Sequence, residues 1–542
     1  MPATSAFGQA VIVHPPLLNA RSCQASKGQL GFLDDTLLGL NSLVTPGSQN
    51  TARFASLSFS PVLPIPRPFV ENDRPFVLLL PIDLPANPLT SRVGAWPGSA
   101  LLESGPGFGD AGRWSILAAY PRLIFESRGS AWTIRAEGRP DENGTGRVLE
   151  TFANLLDHFA LSCPDDLPAP GSPPFLGGLI GFFSYDLATK LERLPRKAPR
   201  DSCLPDIRFA LYDTAVLIDH SDQSVTLMAC DLLNEGRRAV NDRARVWTSA
   251  LHRTPRLEIS SQSLSRPVSN FTKNAYLAAV RKSLDYIAAG DIFQVNISQR
   301  FTAFGTADPL DLYLRLKARS PAPFGCFLAW DDLAVLSASP ELFYQTRGDR
   351  IITRPIKGTR PRGQTPEADE RLITELTASP KDRAELTMIV DLERNDLGRT
   401  CQYGSVKVID PVSVETFAQV HHLVATVEGR LRSGVGPVGV VRAMFPGGSI
   451  TGAPKIRAMQ IIDELEPTRR GLYTGSIGYF SRGGSSAFNI VIRTMILERG
   501  RVTYQVGGGI VADSDPETEY HETLHKGRGL SEALGDSEAL PQ

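Results

Sequence analysis

Lys357 lies in Arg354-Pro355-Ile356-Lys357-Gly358-Thr359-Arg360-Pro361-Arg362-Gly363. A lysine and three arginines in a stretch punctuated by proline and glycine read as a turn that handles anions. The same lysine is a candidate nucleophile. That role needs a neutral amine, so burial or the cations Arg354, Arg360 and Arg362 must lower a pKa that is ordinarily about 10.4. A solvated cation in a basic turn fits the local pattern at least as well.

Two carboxylate pairs come next. Asp382 and Glu385 are spaced i,i+3, as are Glu519 and Glu522, so each pair shares one face of a helix. If the two faces met, their oxygens would suit a hard divalent cation such as magnesium, which keeps part of its water shell. Two solvated helix faces are the simpler alternative. Lys526 is one turn beyond Glu522 and is placed to pair with it.

Other polar groups stand in apolar surroundings. Glu341 interrupts Ser339-Pro340-Glu341-Leu342-Phe343 and is either a general acid/base or a strand-edge charge. Arg493 ends Phe488-Asn489-Ile490-Val491-Ile492, where its donor fork would match a carboxylate. Tyr473 opens a glycine-rich stretch and is either a substrate contact or a packed aromatic. His421 and His422 are adjacent, so their side chains diverge and at most one serves a given site. Gly447-Gly448-Ser449-Ile450-Thr451-Gly452 runs toward a helix whose amides could meet an anion, and Gly507-Gly508-Gly509 would let backbone approach a ligand. Neither run has the GxGxxG or GxxxxGK[ST] spacing, which argues against a nucleotide site.

These residues need elements to hold them. Phe76–Leu80, Trp114–Tyr120 and Ala215–Asp219 read as short buried strands. Residues 257–270 are polar and read as a linker or a crossing between halves. A helix capped by Asn270 buries Tyr276, Val280, Leu284 and Ile287 and ends at Gly290. A strand with one mainly polar face follows at 292–298, then strands at 324–330, 333–338 and 341–346. Helices are expected from Thr365-Pro366 to about Ser379, at 381–394, at 453–465, and from Asp515-Pro516 to about Lys526. Strands at 473–480, 487–498 and 501–507 complete the set, the last two joined by a tight hairpin at Glu498–Arg501. Hairpins with flanking helices indicate an α+β fold and not a parallel nucleotide-binding sheet.

At 542 residues the chain exceeds what one core usually organises. A formal charge of -1 gives no general pull toward nucleic acid or anionic membrane. The six cysteines form no close pair, and no apolar run is long enough to span a bilayer. No signal-peptide pattern opens the sequence, so the cytoplasm is the expected location. Residues 1–50 read as a loosely ordered extension in which Gly31–Asp35 could dock, residues 51–255 as an N-terminal sheet contribution, and residues 256–535 as the catalytic region, integrated with it.

Several motifs agree with one another. Residues 292–301 (IFQVNISQRF), 337–343 (SASPELF), 354–363 (RPIKGTRPRG), 382–399 (DRAELTMIVDLERNDLGR), 421–429 (HHLVATVEG), 447–467 (GGSITGAPKIRAMQIIDELEP), 473–480 (YTGSIGYF), 488–494 (FNIVIRT) and 517–527 (ETEYHETLHKG) resemble the chorismate-utilising enzymes. These include anthranilate synthase component I, aminodeoxychorismate synthase component I, isochorismate synthase and salicylate synthase. A less specific match lies at residues 175–195. The resemblance implies two large antiparallel sheets packed as a sandwich with helices outside. It implies chorismate as substrate and Mg2+ as cofactor, with Glu385 and Glu522 as metal ligands and Asp382 and Glu519 as partners acting through water. The anthranilate branch generally carries Glu where this chain has Asp382. Tyr473 and Arg493 would grip the enolpyruvyl carboxylate; Gly358, Thr359, Gly508 and Lys526 would line the pocket. His422, and not His421, matches the histidine near the departing C4 hydroxyl, and Glu341 matches the general acid.

The branch rests on two positions. Relatives that add water carry a lysine base where this chain has Gln294, which disfavours that chemistry. Anthranilate synthases typically read PIAGT where this chain reads PIKGT; the aminodeoxychorismate branch carries the lysine. There the lysine adds to C2 as the C4 hydroxyl leaves, and ammonia then replaces it at C4. The resemblance also implies a separate glutamine amidotransferase subunit as ammonia source, and Leu101-Leu102-Glu103-Ser104 resembles the start of a tryptophan pocket. The alternatives are anthranilate synthase component I and a catalytically silent regulatory or scaffold subunit.

Overall fold

The computed structural model describes residues 76–536, except 106, 162–170, 254–261, 332 and 418. The extension expected at 1–50 and the first part of the expected linker, 257–261, lie outside the described residues. Among the described residues the strands form two antiparallel sheets, of thirteen and twelve strands.

The first sheet begins with N-terminal strands, including Thr214–Asp219, Trp114–Ala118 and Ala100–Glu103. It continues through Phe324–Trp330, Leu333–Ser339, Thr494–Glu498, Arg501–Ile510 and Gln294–Thr306. The halves of the chain join where Leu102 pairs with Cys326. In the second sheet they join again, where Ser476–Ser481 pairs with Gly178–Phe183. The sheets face each other: Trp330 Nε1 donates to Tyr212 Oη at 2.8 Å, and the Phe182 and Trp330 rings lie 6.1 Å apart. Helices cover the outer surfaces. Arg237–Leu251 buries Val240, Ala244 and Trp247 against the first sheet, and Val148–His158 inserts Phe152 against Phe125 and Phe209 of the second.

Four elements differ from the sequence reading. The segment around Lys357 is not a turn: Arg350–Arg354 and Ile356–Pro361 are strands that both pair with Val420–Arg430. The strand expected at 487–498 is broken. Ser486–Asn489 belongs to the second sheet and Thr494–Glu498 to the first, so Ile490–Arg493 crosses between them. Arg493 has φ 50°, a left-handed conformation uncommon for non-glycine residues. The helix after the linker is capped by Thr272, whose Oγ1 accepts from Ala275 N–H at 3.2 Å. Asn270 instead accepts from Arg300 N–H at 2.8 Å, tying the chain to a strand. The final helix passes Gly527 and runs Pro516–Ala533. It lies on Tyr504 and Val506, and burial of Leu530 and Ala533 outweighs the poor helix propensity of its glycines.

Other expectations hold. Thr365 and Asp515 each cap a helix with proline in its first turn; Ser379, read from the sequence as a helix end, also caps Pro380–Gly398 in the same way. At the hairpin Glu498–Arg501, Arg499 and Gly500 both have positive φ (51° and 72°), as a primed turn between twisted strands requires.

Candidate active site

Lys357 projects from its strand into a buried polar space. Its Nζ lies 4.0 Å from Glu385 Oε2 and donates to the Ser449 carbonyl at 3.4 Å. Burial pushes its pKa down, and Lys526 adds to this; Glu385, Glu341 and Glu522 pull the other way without reversing it. The three arginines expected to depress it do not face it. Arg354 pairs with Glu415, Arg360 with Glu375 and Asp382, and Arg362 with Asp369. Alternation along strands and the nearby acidic side chains turn them away.

Glycines bring the surrounding strands close. A Cβ on Gly509 would stand 2.3 Å from Gln294 Nε2 and 3.6 Å from Lys357 Nζ, so the bare backbone lets both groups share one space. Gln294 is fully buried and both its amide atoms lack a protein partner. On Gly508 a Cβ would meet Glu519 Oε2 at 2.7 Å, and on Gly507 it would meet Tyr473 Oη at 3.0 Å. Each of Gly507–Gly509 pairs with the strand carrying Gln294.

Glu341 is buried between the sheets. Its Oε1 accepts from Ser449 Oγ at 2.6 Å. Burial raises its pKa; Ser449, Lys357 and the Ile356 backbone offset part of that rise. A carboxyl held toward its neutral form beside an amine held toward its neutral form is an acid and nucleophile combination.

A second group lies beyond Gly358. His422 Nδ1 hydrogen-bonds Thr359 Oγ1 at 2.9 Å, while its buried Nε2 has no partner. Burial, with Arg493 adding to it, pushes the His422 pKa down to about 3, so the ring is neutral. Gly358 has φ 80°, and a Cβ there would touch Asp382 at 3.0 Å. His421 faces away, bonding Asp369 at 2.8 Å and Thr416 at 2.8 Å. Burial lowers the pKa of Arg493, and among the described residues no carboxylate pairs with it. An unpaired, largely buried guanidinium near a neutral imidazole is a receptor for a carboxylate.

The four carboxylates come from Pro380–Gly398 and Pro516–Ala533. Glu385 and Glu522 sense each other electrostatically, and burial pushes Glu385 up. Burial would also raise Glu522, but Lys526, 2.6 Å away, holds it low together with Lys381 and Lys357. Lys526 Nζ also donates to the Gly507 carbonyl at 3.1 Å. Asp382 lies 3.3 Å from Arg360, and Glu519 Oε1 accepts from Ser514 at 2.6 Å. As they lie, no three acidic, imidazole or thiol groups among the described residues are gathered tightly enough to hold a metal ion. The donor set still suits a hard cation: two carboxylates repel across the space, and Glu519 Oε2 is buried without a partner.

Four contributors have no role of their own in the sequence reading. Ser449 touches both Glu341 and Lys357. Glu466 and Arg470 form a buried pair at 2.8 Å, and Arg470 also bonds the carbonyls of Asn296 and Ile450. Glu393 accepts from Gly448 N–H at 3.2 Å. Their i,i+4 or isolated spacing looks like that of any helix surface; only tertiary contacts mark them.

A model of the chorismate binding enzyme family matches residues 117–532. The chain belongs to that family. It is 38% identical to anthranilate synthase component 1 of Thermus thermophilus over 87% of this chain and 100% of that protein. It is 42% identical to aminodeoxychorismate synthase component 1 of Klebsiella aerogenes over 81% of this chain and 93% of that protein. The solved anthranilate synthase component I of Streptococcus pneumoniae superposes with a TM-score of 0.68 at 31% identity, covering 79% of this chain and 93% of that one. These relatives carry two activities at similar identity, so the site must discriminate between them.

A cavity of about 210 Å³ lies apart from this site, between the sheets. Glu103, Trp114, Pro323, Phe324 and Asn489 help line it. Glu103, within the stretch read as the start of a tryptophan pocket, accepts from Tyr313 at 2.7 Å and Lys317 at 2.9 Å. Among the described residues no helix is long and apolar enough to cross a membrane, and four cysteines are free.

Proposed function

We propose that this chain is component I of an aminodeoxychorismate synthase, aminating chorismate at C4 with ammonia. The observation that carries the reading is Lys357: a largely buried amine, pushed toward neutrality, sharing its space with Glu341 and Gln294. Lys357 adds to C2 of chorismate. Its nitrogen's lone pair forms the new bond, both ring double bonds shift along the ring toward C4, and the C4–O bond breaks. Glu341, held toward its protonated form, gives its proton to the leaving hydroxyl, which departs as water. Ammonia then adds at C4 and expels the lysine nitrogen, and Glu341 takes up the proton that ammonia releases. The net change is chorismate plus ammonia giving 4-amino-4-deoxychorismate plus water.

The remaining residues bind and orient. Arg493 and Tyr473 receive the enolpyruvyl carboxylate, and Gly358, Thr359, Gly508 and Lys526 shape the pocket around the ring. Neutral His422 sits toward the C4 side. Glu385 and Glu522 would hold magnesium, backed by Asp382 and Glu519; the bound ion would neutralise and orient the ring carboxylate. Gln294 is no base for water, which leaves the site to a nitrogen nucleophile. Ammonia comes from a separate glutamine amidotransferase subunit, and the cavity beside Glu103 takes tryptophan.

Incubating the protein with chorismate, ammonium and magnesium tests the reading. The expected product is 4-amino-4-deoxychorismate, which a lyase converts to 4-aminobenzoate. Anthranilate as the main product would assign the other branch; absence of turnover would point to a silent subunit.

A further inference from the structure

Ser449 holds two candidate reacting groups at once. Its hydroxyl donates to Glu341 at 2.6 Å, and its carbonyl accepts from Lys357 at 3.4 Å. The turn that carries it is held from behind. Gly448 N–H donates to Glu393 Oε1 at 3.2 Å, and the Ile450 carbonyl accepts from Arg470 at 3.1 Å. The turn is packed too tightly to slide: a Cβ on Gly448 would stand 2.4 Å from Leu392.

Glu393 is buried, and its second oxygen has no partner. Burial, with Asp396 and Glu341 adding to it, pushes its pKa up; Lys455, which is bound to Asp396 at 2.5 Å, opposes this. A neutral carboxyl still accepts from the Gly448 amide and places no second negative charge behind Glu341.

We propose that Ser449 is a positioning residue that sets the spacing between Glu341 and Lys357, and that Glu393, acting through the Gly448 amide, anchors Ser449. This rests on reading Glu341 and Lys357 as the reacting pair. Lys357 stands on a strand of the second sheet, and Glu341 in the crossing between Leu333–Ser339 of the first sheet and Leu342–Arg347 of the second. Ser449 touches both from a turn far from either in sequence, alongside the Ile356 backbone, which also bonds Glu341. Its consequence is a shared scaffold: disturbing either Ser449 or Glu393 disturbs the same geometry.

The test uses S449A, E393Q, E393L and the S449A/E393L double variant with ammonium as nitrogen source. S449A is expected to lower kcat by about 10- to 100-fold while KM for chorismate stays within about twofold, since misplacing a reacting group costs the chemical step. E393Q keeps an acceptor for Gly448 and is expected to remain within about threefold of wild type; E393L loses it and should fall about as far as S449A. The double variant should fall little further than S449A alone, because the two act as one unit. Losses that multiply in the double variant, or an S449A kcat within about twofold of wild type, overturn the proposal. If E393L does not fold, S449A against E393Q decides: E393Q falling as far as S449A overturns the anchor. Should the wild type leave chorismate unchanged, the functional reading fails alone. Crystal structures of S449A then decide, with displaced Glu341 and Lys357 side chains supporting the proposal and unmoved ones overturning it.

Discussion

The inner wall of the site and its mouth handle charge in opposite ways. At the inner wall, Glu341 and His422 are buried and Lys357 is largely so, with 14% of its side chain exposed, and each is pushed toward its neutral form. At the mouth, Lys526 and Glu522 are close to half exposed, at 45% and 46%, and pair directly at 2.6 Å. The wall withholds solvent and full counter-charge, and so creates an amine able to attack and a carboxyl able to donate. The mouth keeps its charges, which suits attracting and holding a dianion or a cation. On the proposed function, burial more than residue type separates the groups that react from those that bind.

The largest effect should come from removing the inner amine. Lys357→Ala is expected to lower C4 amination by about 10³-fold or more in kcat/KM, measured with saturating ammonium. Trace anthranilate from that variant would show that the pocket admits direct C2 amination once the lysine is gone. An unchanged rate would place Lys357 among the binding groups and erase the contrast between wall and mouth.

Glu341→Gln is expected next, with kcat reduced about 10²- to 10³-fold, since the amide keeps the Ser449 contact and lacks the transferable proton. A loss expressed in KM alone would make Glu341 a binding residue.

His422 sharpens the comparison through pH. Its folded pKa of about 3 lies below the ordinary value of 6.5, so its contribution to stability is present above 6.5 and is lost as pH falls from there toward 3. His422→Gln should therefore flatten the fall in Tm between pH 6.5 and 4 relative to wild type. Raised carboxyls such as Glu341 and Glu385 act in the opposite direction and remain in both proteins, so the difference isolates the imidazole. Parallel Tm curves would mean that His422 is not held neutral.

The smallest effect belongs to the mouth. Lys526→Gln removes an exposed pair worth about 0.2–1 kcal/mol of stability, and it should raise KM for chorismate more at low salt than at high salt. A kcat loss rivaling that of Glu341→Gln would move Lys526 into the reacting group.

Much of this was legible in the chain. Proline-led helices with Thr365 and Asp515 caps follow from local hydrogen bonding, and alternating apolar residues mark strands wherever one face is buried. The family resemblance pointed to His422 over His421, and on their strand the two adjacent residues face opposite ways, one to Thr359 and one to Asp369. Lys357 was legible as a candidate, but not the source of its depressed pKa. Composition pointed to the flanking arginines, whereas each arginine has a carboxylate of its own: Glu415 for Arg354, Glu375 for Arg360 and the nearby Asp369 for Arg362.

By itself the sequence determined the element types, the helix boundaries at their capped ends, and the side chains available for acid, nucleophile and carboxylate receptor, because those depend on neighbours a few residues away. The tertiary structure alone decided that one strand would break at Ile490–Arg493 and cross between sheets. It alone set Ser449 between Glu341 and Lys357, and it buried most of the lysine side chain. Those outcomes depend on desolvation and on contacts between segments about a hundred residues apart, for which no local pattern carries the energy.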